Sequence, residues 1–132
     1  MQQLFIGVIA ALLAAGSACA GPPAASRVFA TTGGEAETDA CASTGIVGGF
    51  RGGAQSFLAV RGGPGLRHAM VDRLESGARV WICEVRAGWL GVVYGPQDRD
   101  CGVASPSPVR RPYAGPCASG WVSERYVCHE AG

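Results

Sequence analysis

The sequence predicts an all-β domain of five to six short strands. Glycine and proline number 21 and 8 among the 132 residues, and helical periodicity is scarce after the N-terminal segment. Apolar residues alternate with other residues in short runs that end at glycine, and the run at 57–61 leads directly into Gly-Gly-Pro-Gly. Because such a loop cannot continue a hydrogen-bonded ladder, the pattern favours a small barrel of short strands.

Composition limits the class of protein. The length suits one domain, and the sequence shows no second block of domain size. All 11 basic residues are arginine, and the net charge is only +1. A dedicated nucleic-acid-binding protein usually carries a strong basic excess, so we expect no nucleic-acid partner.

The N-terminal segment has the features of a signal peptide. Residues 4–15 form an apolar run of twelve residues, which is too short to span a bilayer comfortably. Ala18 and Ala20 supply the small residues of an A-x-A cleavage site. We therefore predict a signal peptide over 1–20 and an exported protein, periplasmic or secreted, with no membrane span in its mature form.

Two alternatives for this segment stay open. No basic side chain precedes the apolar run, and an uncleaved N-terminal anchor is the first alternative. The second is a lipoprotein, because Gly16-Ser17-Ala18-Cys19 resembles a bacterial lipoprotein box with glycine where leucine is usual. In that case a lipid anchor is attached at Cys19.

The segment that follows is predicted to be a flexible linker. Residues 21–40 are rich in Ala, Thr, Gly, Pro and acidic side chains, and Val28-Phe29 is their one sizeable apolar pair. Such a segment buries too little apolar surface to fix its own backbone. The folded domain is therefore expected at 41–132.

Export gives the cysteines a structural role, since disulfides persist outside the cytoplasm. Cys101 and Cys117 flank a proline-rich segment without a strand pattern, which we name the stapled loop, and we expect them to pair. Closing a loop of that length contributes roughly 3 kcal/mol in the chain-entropy view. Cys41 precedes the first strand and Cys83 lies in a central one, so these two can pair across a sheet.

Cys128 is left without an intramolecular partner. We expect a spare thiol or an intermolecular disulfide, and otherwise a monomer. A catalytic thiol with His129 as its base is disfavoured, because adjacent strand residues point to opposite faces. The sequence has no C-x-x-C pair, and neither His68 nor His129 has a second ligand at metal-binding spacing, so we expect neither a metal nor a cofactor.

Strands are predicted in order along the domain at 44–50, 57–61, 78–86, 89–94, 121–122 and 126–127, and residues 68–74 are expected to return the chain towards the core. In 78–86, Val80 and Ile82 should face one side of the sheet, and Trp81 and Cys83 the other. The dipeptide at 87–88 is a hairpin turn that joins this strand to the next one.

From about Thr44 to Val127 the chain resembles the bacterial SH3 (SH3b) family of small β-barrels. The family's opening L-x-V-R-x-G-P stands here at 58–64, its Gly-Trp hairpin at Gly88-Trp89, and its closing G-W-V at 120–122. The resemblance implies an SH3-like barrel. Ser123 replaces the groove proline of the related eukaryotic ending, which argues against ordinary PxxP recognition, and the stapled loop is a second departure.

In the resembling family, peptides dock between the long first loop and the second hairpin. The resemblance therefore implies Trp89 and Tyr126 as ligand-binding residues, with Arg67 and His68 as polar partners. Trp89 opens its strand and Tyr126 lies at the far end of the following one, so we expect the two rings to meet. The alternative for Trp89 is a lid over a small core.

These features together predict an exported, non-catalytic binding module for peptides or peptidoglycan stem peptides of the cell envelope. One alternative is a small cell-wall hydrolase or an accessory to one. Another is a protein-interaction or inhibitor module that uses the stapled loop, with Arg110, Arg111 and Tyr113 as contacts. Trp81 and Trp121 are expected to be structural.

Overall fold

A computed structural model describes residues 25–51 and 56–130. Within those residues the chain forms eleven β-strands and one 3₁₀ turn. The strands are β1 (Thr31–Thr32), β2 (Glu35–Asp39), β3 (Ser43–Val47), β4 (Leu58–Arg61), β5 (Met70–Leu74), β6 (Arg79–Arg86), β7 (Trp89–Tyr94), β8 (Pro106–Ser107), β9 (Arg111–Pro112), β10 (Ala118–Ser123) and β11 (Val127–His129). The 3₁₀ turn, Glu124–Tyr126, separates β10 from β11. The all-β prediction is confirmed.

Most of the longer strands form one antiparallel sheet, in the order β11-β3-β6-β7-β10-β4-β5. The sheet is open, because its edge strands β11 and β5 do not pair with each other in the described residues. In β5 every residue before Leu74 is exposed, so this strand has no apolar row to bury against a further strand. The predicted barrel is therefore not closed.

One face of the sheet carries the main core. Val80 and Ile82 of β6 point into it, together with Leu90 and Val92 of β7 and Val122 of β10. The predicted alternation of β6 is confirmed, since Trp81 and Cys83 belong to a second core on the opposite face. We name the face of the main core the inner face and the opposite one the outer face.

The second core forms between the outer face and the stapled loop. Its buried residues include Val93 of the sheet and Val103 and Tyr113 of the loop. Both predicted disulfide pairings are present: Cys41 bonds to Cys83 and Cys101 bonds to Cys117. Disulfides are typical of oxidising compartments outside the cytoplasm.

The linker prediction is wrong for residues 25–40, which we name the N-terminal arm. The Val28 N–H donates to the Gly62 carbonyl at 2.7 Å, and Ala30 is fully buried against the sheet. β1 pairs with β9 and β2 pairs with β8, both in the stapled loop. The low apolar content of this segment does not predict an ordered arm, because the arm is fixed by backbone hydrogen bonds to another segment.

Gly91 explains how the arm approaches the sheet so closely. A Cβ atom at this position would lie 2.9 Å from the Cβ of Ala30 and 3.2 Å from the ring of Trp121. Only a residue without a side chain leaves room for both contacts. The predicted signal peptide, with Cys19, and residues 21–24 lie outside the described residues. No helix in the described residues is long and apolar enough to cross a membrane.

Candidate functional site

The two aromatic residues expected to bind a ligand do not meet. Trp89 pairs with Arg86 of β6 and with Ser123 of β10. Its neighbour Leu90 is buried in the main core, and successive side chains of a strand point to opposite faces, so the side chain of Trp89 lies on the outer face. Tyr126 packs against the main core on the inner side, and its ring contacts Phe50 at a centroid distance of 5.5 Å. The expected contact between the rings is therefore wrong, because the two side chains belong to opposite sides of the sheet.

The two expected polar partners, Arg67 and His68, differ in their exposure to solvent. Arg67 is exposed on the loop between β4 and β5. His68 is only 4% exposed, and its ring lies so close to Gly63 that a Cβ there would clash with it. Arg61 donates from Nη1 to the His68 carbonyl at 2.8 Å. His68 therefore supports the loop from inside, while Arg67 remains available at the surface.

Trp121 has the structural role that the sequence predicts. It is completely buried on the outer face, and its Nε1 donates to the Val28 carbonyl at 2.7 Å. The guanidinium of Arg86 lies 5.2 Å from the ring centroid, within cation–π range. This tryptophan therefore anchors the N-terminal arm.

Tyr113 is a structural residue of the stapled loop. Its side chain is buried, and its hydroxyl donates to the Cys101 carbonyl at 2.8 Å and accepts from the Cys117 N–H at 3.1 Å. These bonds span the loop beside its disulfide. Tyr113 therefore holds the loop in shape and cannot present its ring to a partner protein.

Polar side chains converge instead in a cleft that the arm forms with the sheet. This cleft, which we name the arm cleft, has a volume of about 300 Å³. Its walls come from the arm, from β5, from the end of β7, from the C-terminal end of the stapled loop and from the start of β10. The residues that line it include Arg27, Phe29, Asp72, Tyr94 and Ser119.

Arg27 supplies the positive charge of the arm cleft. Its Nη2 donates to the Ser119 carbonyl at 3.1 Å, and its guanidinium lies 4.9 Å from the ring centroid of Phe29. In the described residues no carboxylate forms an ion pair with it. The carbonyl and the ring hold the guanidinium in place and leave its charge uncompensated.

Asp72 supplies a negative charge in the same cleft. Its Oδ1 accepts from the Arg73 N–H and its Oδ2 from the Tyr94 hydroxyl, each at 2.8 Å. Both partners are neutral groups, and within the described residues Asp72 has no ion-pair partner. The cleft therefore presents opposite charges that do not neutralise each other directly.

Tyr94 connects this site to the main core. Burial raises the pKa of its hydroxyl well above the ordinary value, and the hydrogen bond to Asp72 and the negative charge of that carboxylate raise it further. Arg27 acts in the opposite direction, as a smaller influence. Tyr94 is therefore a protonated donor that holds Asp72 in place, and it is not a proton acceptor at neutral pH.

Sequence reasoning missed this cleft. Arg27 and Phe29 lie in the segment predicted to be a linker, and Asp72 lies in a strand predicted only to return to the core. The one available signal was the run Arg27-Val28-Phe29, a cation beside the largest apolar pair of that segment. This run forms part of a cleft only because the arm docks beside β4 and β10, and no local sequence pattern predicts that docking.

Cys128 is exposed on the edge strand β11 and forms no disulfide in the structure. It pairs with Ile46 of β3, and the next residue, His129, pairs with Gly45. Neighbouring strand residues point to opposite sides, so this thiol and this imidazole do not form a dyad. Within residues 25–51 and 56–130 no three His, Cys, Asp or Glu side chains are grouped so that they could hold a metal ion.

Fold and site define a disulfide-bonded, all-β protein with a charged cleft beside its sheet. Comparison with known proteins found no matching family model, no similar curated protein and no similar solved structure.

Proposed function

We propose that this protein is an exported, non-catalytic binding module for short peptides, including peptidoglycan stem peptides of the cell envelope. The observation that carries the proposal is the arm cleft, where Arg27 and Asp72 offer opposite charges without pairing to each other. A short peptide has a terminal carboxylate and a terminal ammonium, which complement these two groups. Phe29 adds an exposed apolar surface for a side chain.

Two further features support the proposal. The disulfides suit a compartment outside the cytoplasm, as expected for a protein with a signal peptide, whether periplasmic, secreted or lipid-anchored. The resemblance to the bacterial SH3 family also favours peptide recognition. In this chain, however, the proposed site is the arm cleft and not the surface at Trp89 and Tyr126.

Calorimetric titration with a soluble stem peptide tests the proposal through the variant Asp72→Asn. The amide oxygen can still accept from the Tyr94 hydroxyl, but the amide nitrogen cannot accept from the Arg73 N–H and the charge is lost. Peptide affinity should therefore fall, and the melting temperature, measured alongside, separates loss of the charge from any loss of stability. We expect a loss of about tenfold, equivalent to about 1.4 kcal/mol. Arg27→Gln should give a similar loss for a peptide with a free carboxylate and a smaller one for the peptide amide.

The controls separate this site from the alternatives. Arg125→Gln removes an exposed charge outside the cleft and should leave affinity unchanged. Trp89→Ala examines the surface that the SH3 resemblance implies. If Trp89→Ala abolishes binding and Asp72→Asn does not, the arm-cleft assignment is wrong, and peptide binding belongs to the outer end of the hairpin.

One observation favours a second candidate function, a protein-interaction module. The tip of the stapled loop between β8 and β9 exposes the apolar Val109 beside Arg110 and Arg111. A disulfide-restrained tip of this kind loses little entropy on binding a partner protein. Under this alternative, Val109→Ser with Arg111→Gln prevents capture of a partner while Asp72→Asn does not.

A further inference from the structure

A second groove lies on the protein, and neither Arg27 nor Asp72 of the arm cleft lines it. Two cavities, of about 470 and 110 Å³, share Trp81 and Arg79 in their linings. The larger extends past Asp39 and Glu130, and the smaller extends past Gln97 and Arg99. The two cavities adjoin at Arg79 and Trp81, and we name them together the Trp81 groove.

Trp81 is held firmly, yet part of it faces the groove. It packs against the second core, beside the Cys41–Cys83 disulfide, and it is only half-buried. Its indole N–H takes part in none of the side-chain hydrogen bonds found among residues 25–51 and 56–130, and the residue is partly exposed. A fixed ring with a free donor provides an apolar surface and a polar contact at low entropic cost.

The charges around Trp81 are mixed and balanced. Arg79 pairs with Glu130 at 2.8 Å, and hydrogen bonds from Thr44 and from Arg79 lower the pKa of Glu130, which keeps that carboxylate ionised. Asp39 contributes a second carboxylate and Arg99 a second guanidinium, both exposed. Two positive and two negative groups give the groove no net charge, so it favours a neutral, hydrogen-bonding ligand over an anion or a cation.

A carbohydrate matches this combination. Each sugar hydroxyl both donates and accepts hydrogen bonds, so it can use carboxylates, guanidinium groups and the Gln97 amide together. The face of a pyranose ring that bears C–H groups is apolar and can cover the exposed part of an indole. Two cavities that adjoin at Trp81 suit successive sugar units better than a single one.

We propose that the Trp81 groove binds a linear, neutral glycan chain, with one pyranose stacked on Trp81. Tyr94 lines both sites, but Trp81, Asp39 and Gln97 lie outside the arm cleft. The ligand is also of a different chemical class from the peptide proposed there. A protein with both sites would contact the glycan and the peptide parts of a cell-wall polymer separately.

The test is a titration of the full mature protein with soluble β-1,4-linked oligosaccharides of N-acetylglucosamine and of glucose. Calorimetry gives Kd, and intrinsic tryptophan fluorescence reports whether an indole is covered. We expect saturable binding of at least one oligosaccharide, tighter for a tetramer than for a monomer. Trp81→Ala should weaken it by about tenfold or more, the loss typical of removing an aromatic anchor, whereas Trp89→Ala, the matched tryptophan control, should not change it.

Because Trp81→Ala can disturb the second core, variants of exposed residues in the groove provide a second test. Asp39→Ala and Gln97→Ala each remove a hydrogen-bonding group from one of the two cavities, and each should weaken sugar binding while the melting temperature stays unchanged. Asp72→Asn should leave sugar binding intact, which separates this inference from the peptide proposal. The inference is overturned if neither oligosaccharide binds, if binding is indifferent to both groove variants, or if Asp39→Ala and Gln97→Ala weaken only peptide binding.

Discussion

At the scale of single residues, Glu84 shows how one buried carboxylate holds separate segments together. Its side chain is only 7% exposed, and its Oε2 accepts from the Thr31 N–H at 3.1 Å. Its Oε1 pairs with Arg86 of the same strand at 2.8 Å and with Arg110 of the stapled loop at 3.4 Å. Because both guanidinium groups are about half exposed, the hydrogen bond to the arm matters more for stability than the ion pairs do.

Tyr94 gives a prediction about pH. Its pKa is raised in the folded protein from an ordinary value of 10.0, so the stabilisation it provides is complete below about pH 10 and is lost as the pH rises further. Tyr94→Phe should therefore make the unfolding free energy less sensitive to pH in the alkaline range. Urea unfolding from pH 8 to 11 measures this, and equal slopes in the two proteins would contradict the assigned environment.

At the scale of elements, the N-terminal arm and the stapled loop together cover the outer face of the sheet. The Tyr113 N–H donates to the Ala30 carbonyl at 2.9 Å, and the Gly34 N–H donates to the Ser107 carbonyl at the same distance. Each segment alone is short of apolar residues, but each supplies the backbone partners that the other lacks. The arm and loop therefore form one layer and should lose their structure together.

Gly91→Ala tests the packing of the arm on the sheet. The new methyl group would crowd Ala30, Glu84 and Trp121, so we expect a loss of about 1–3 kcal/mol and faster proteolysis within the arm. Gly48→Ala is the matched control, because its Cβ would make only an ordinary contact, at 3.7 Å from Ser76. Equal stability of the two variants in urea would show that the arm does not pack as described.

Removal of the Cys101–Cys117 disulfide tests the stapled loop. Replacement of both cysteines by serine should lower the unfolding free energy by about 3 kcal/mol, because the unfolded chain gains the freedom of a 16-residue separation. The loop should also become susceptible to protease, while the Cys41–Cys83 bond remains. A double variant as stable and as protease-resistant as the parent would exclude a structural role for this bond.

Much of the sheet could be predicted from local sequence, since alternation in β6 and the turn at 87–88 depend only on neighbouring residues. Both disulfides also followed from their positions relative to strands and loops. The arm could not be predicted, because its order depends on Gly91 and on carbonyls far away along the chain. The predicted contact between Trp89 and Tyr126 was wrong, because the order of the strands alone does not determine which face of the sheet each ring occupies.

At the scale of the whole molecule, the open sheet has a core on each face. The inner core is built mainly from aliphatic side chains of the sheet, and the outer layer forms the clefts. The arm cleft lies where the arm, the edge strand β5 and the base of the stapled loop come together, and the Trp81 groove lies along the second core. Both proposed functions therefore require the outer layer. Loss of the arm should impair both, because the arm supplies Arg27 and Phe29 to the arm cleft and Asp39 to the Trp81 groove.

The most direct test of the arm-cleft proposal is a map of the amide chemical shifts that a soluble stem peptide perturbs, measured by ¹⁵N–¹H NMR on the oxidised mature protein. We predict saturable shifts that cluster at Phe29, Asp72 and Ser119, and that are much reduced in Asp72→Asn. Shifts that cluster instead at Trp89 and Tyr126, or the absence of any saturable shift, would contradict the proposal.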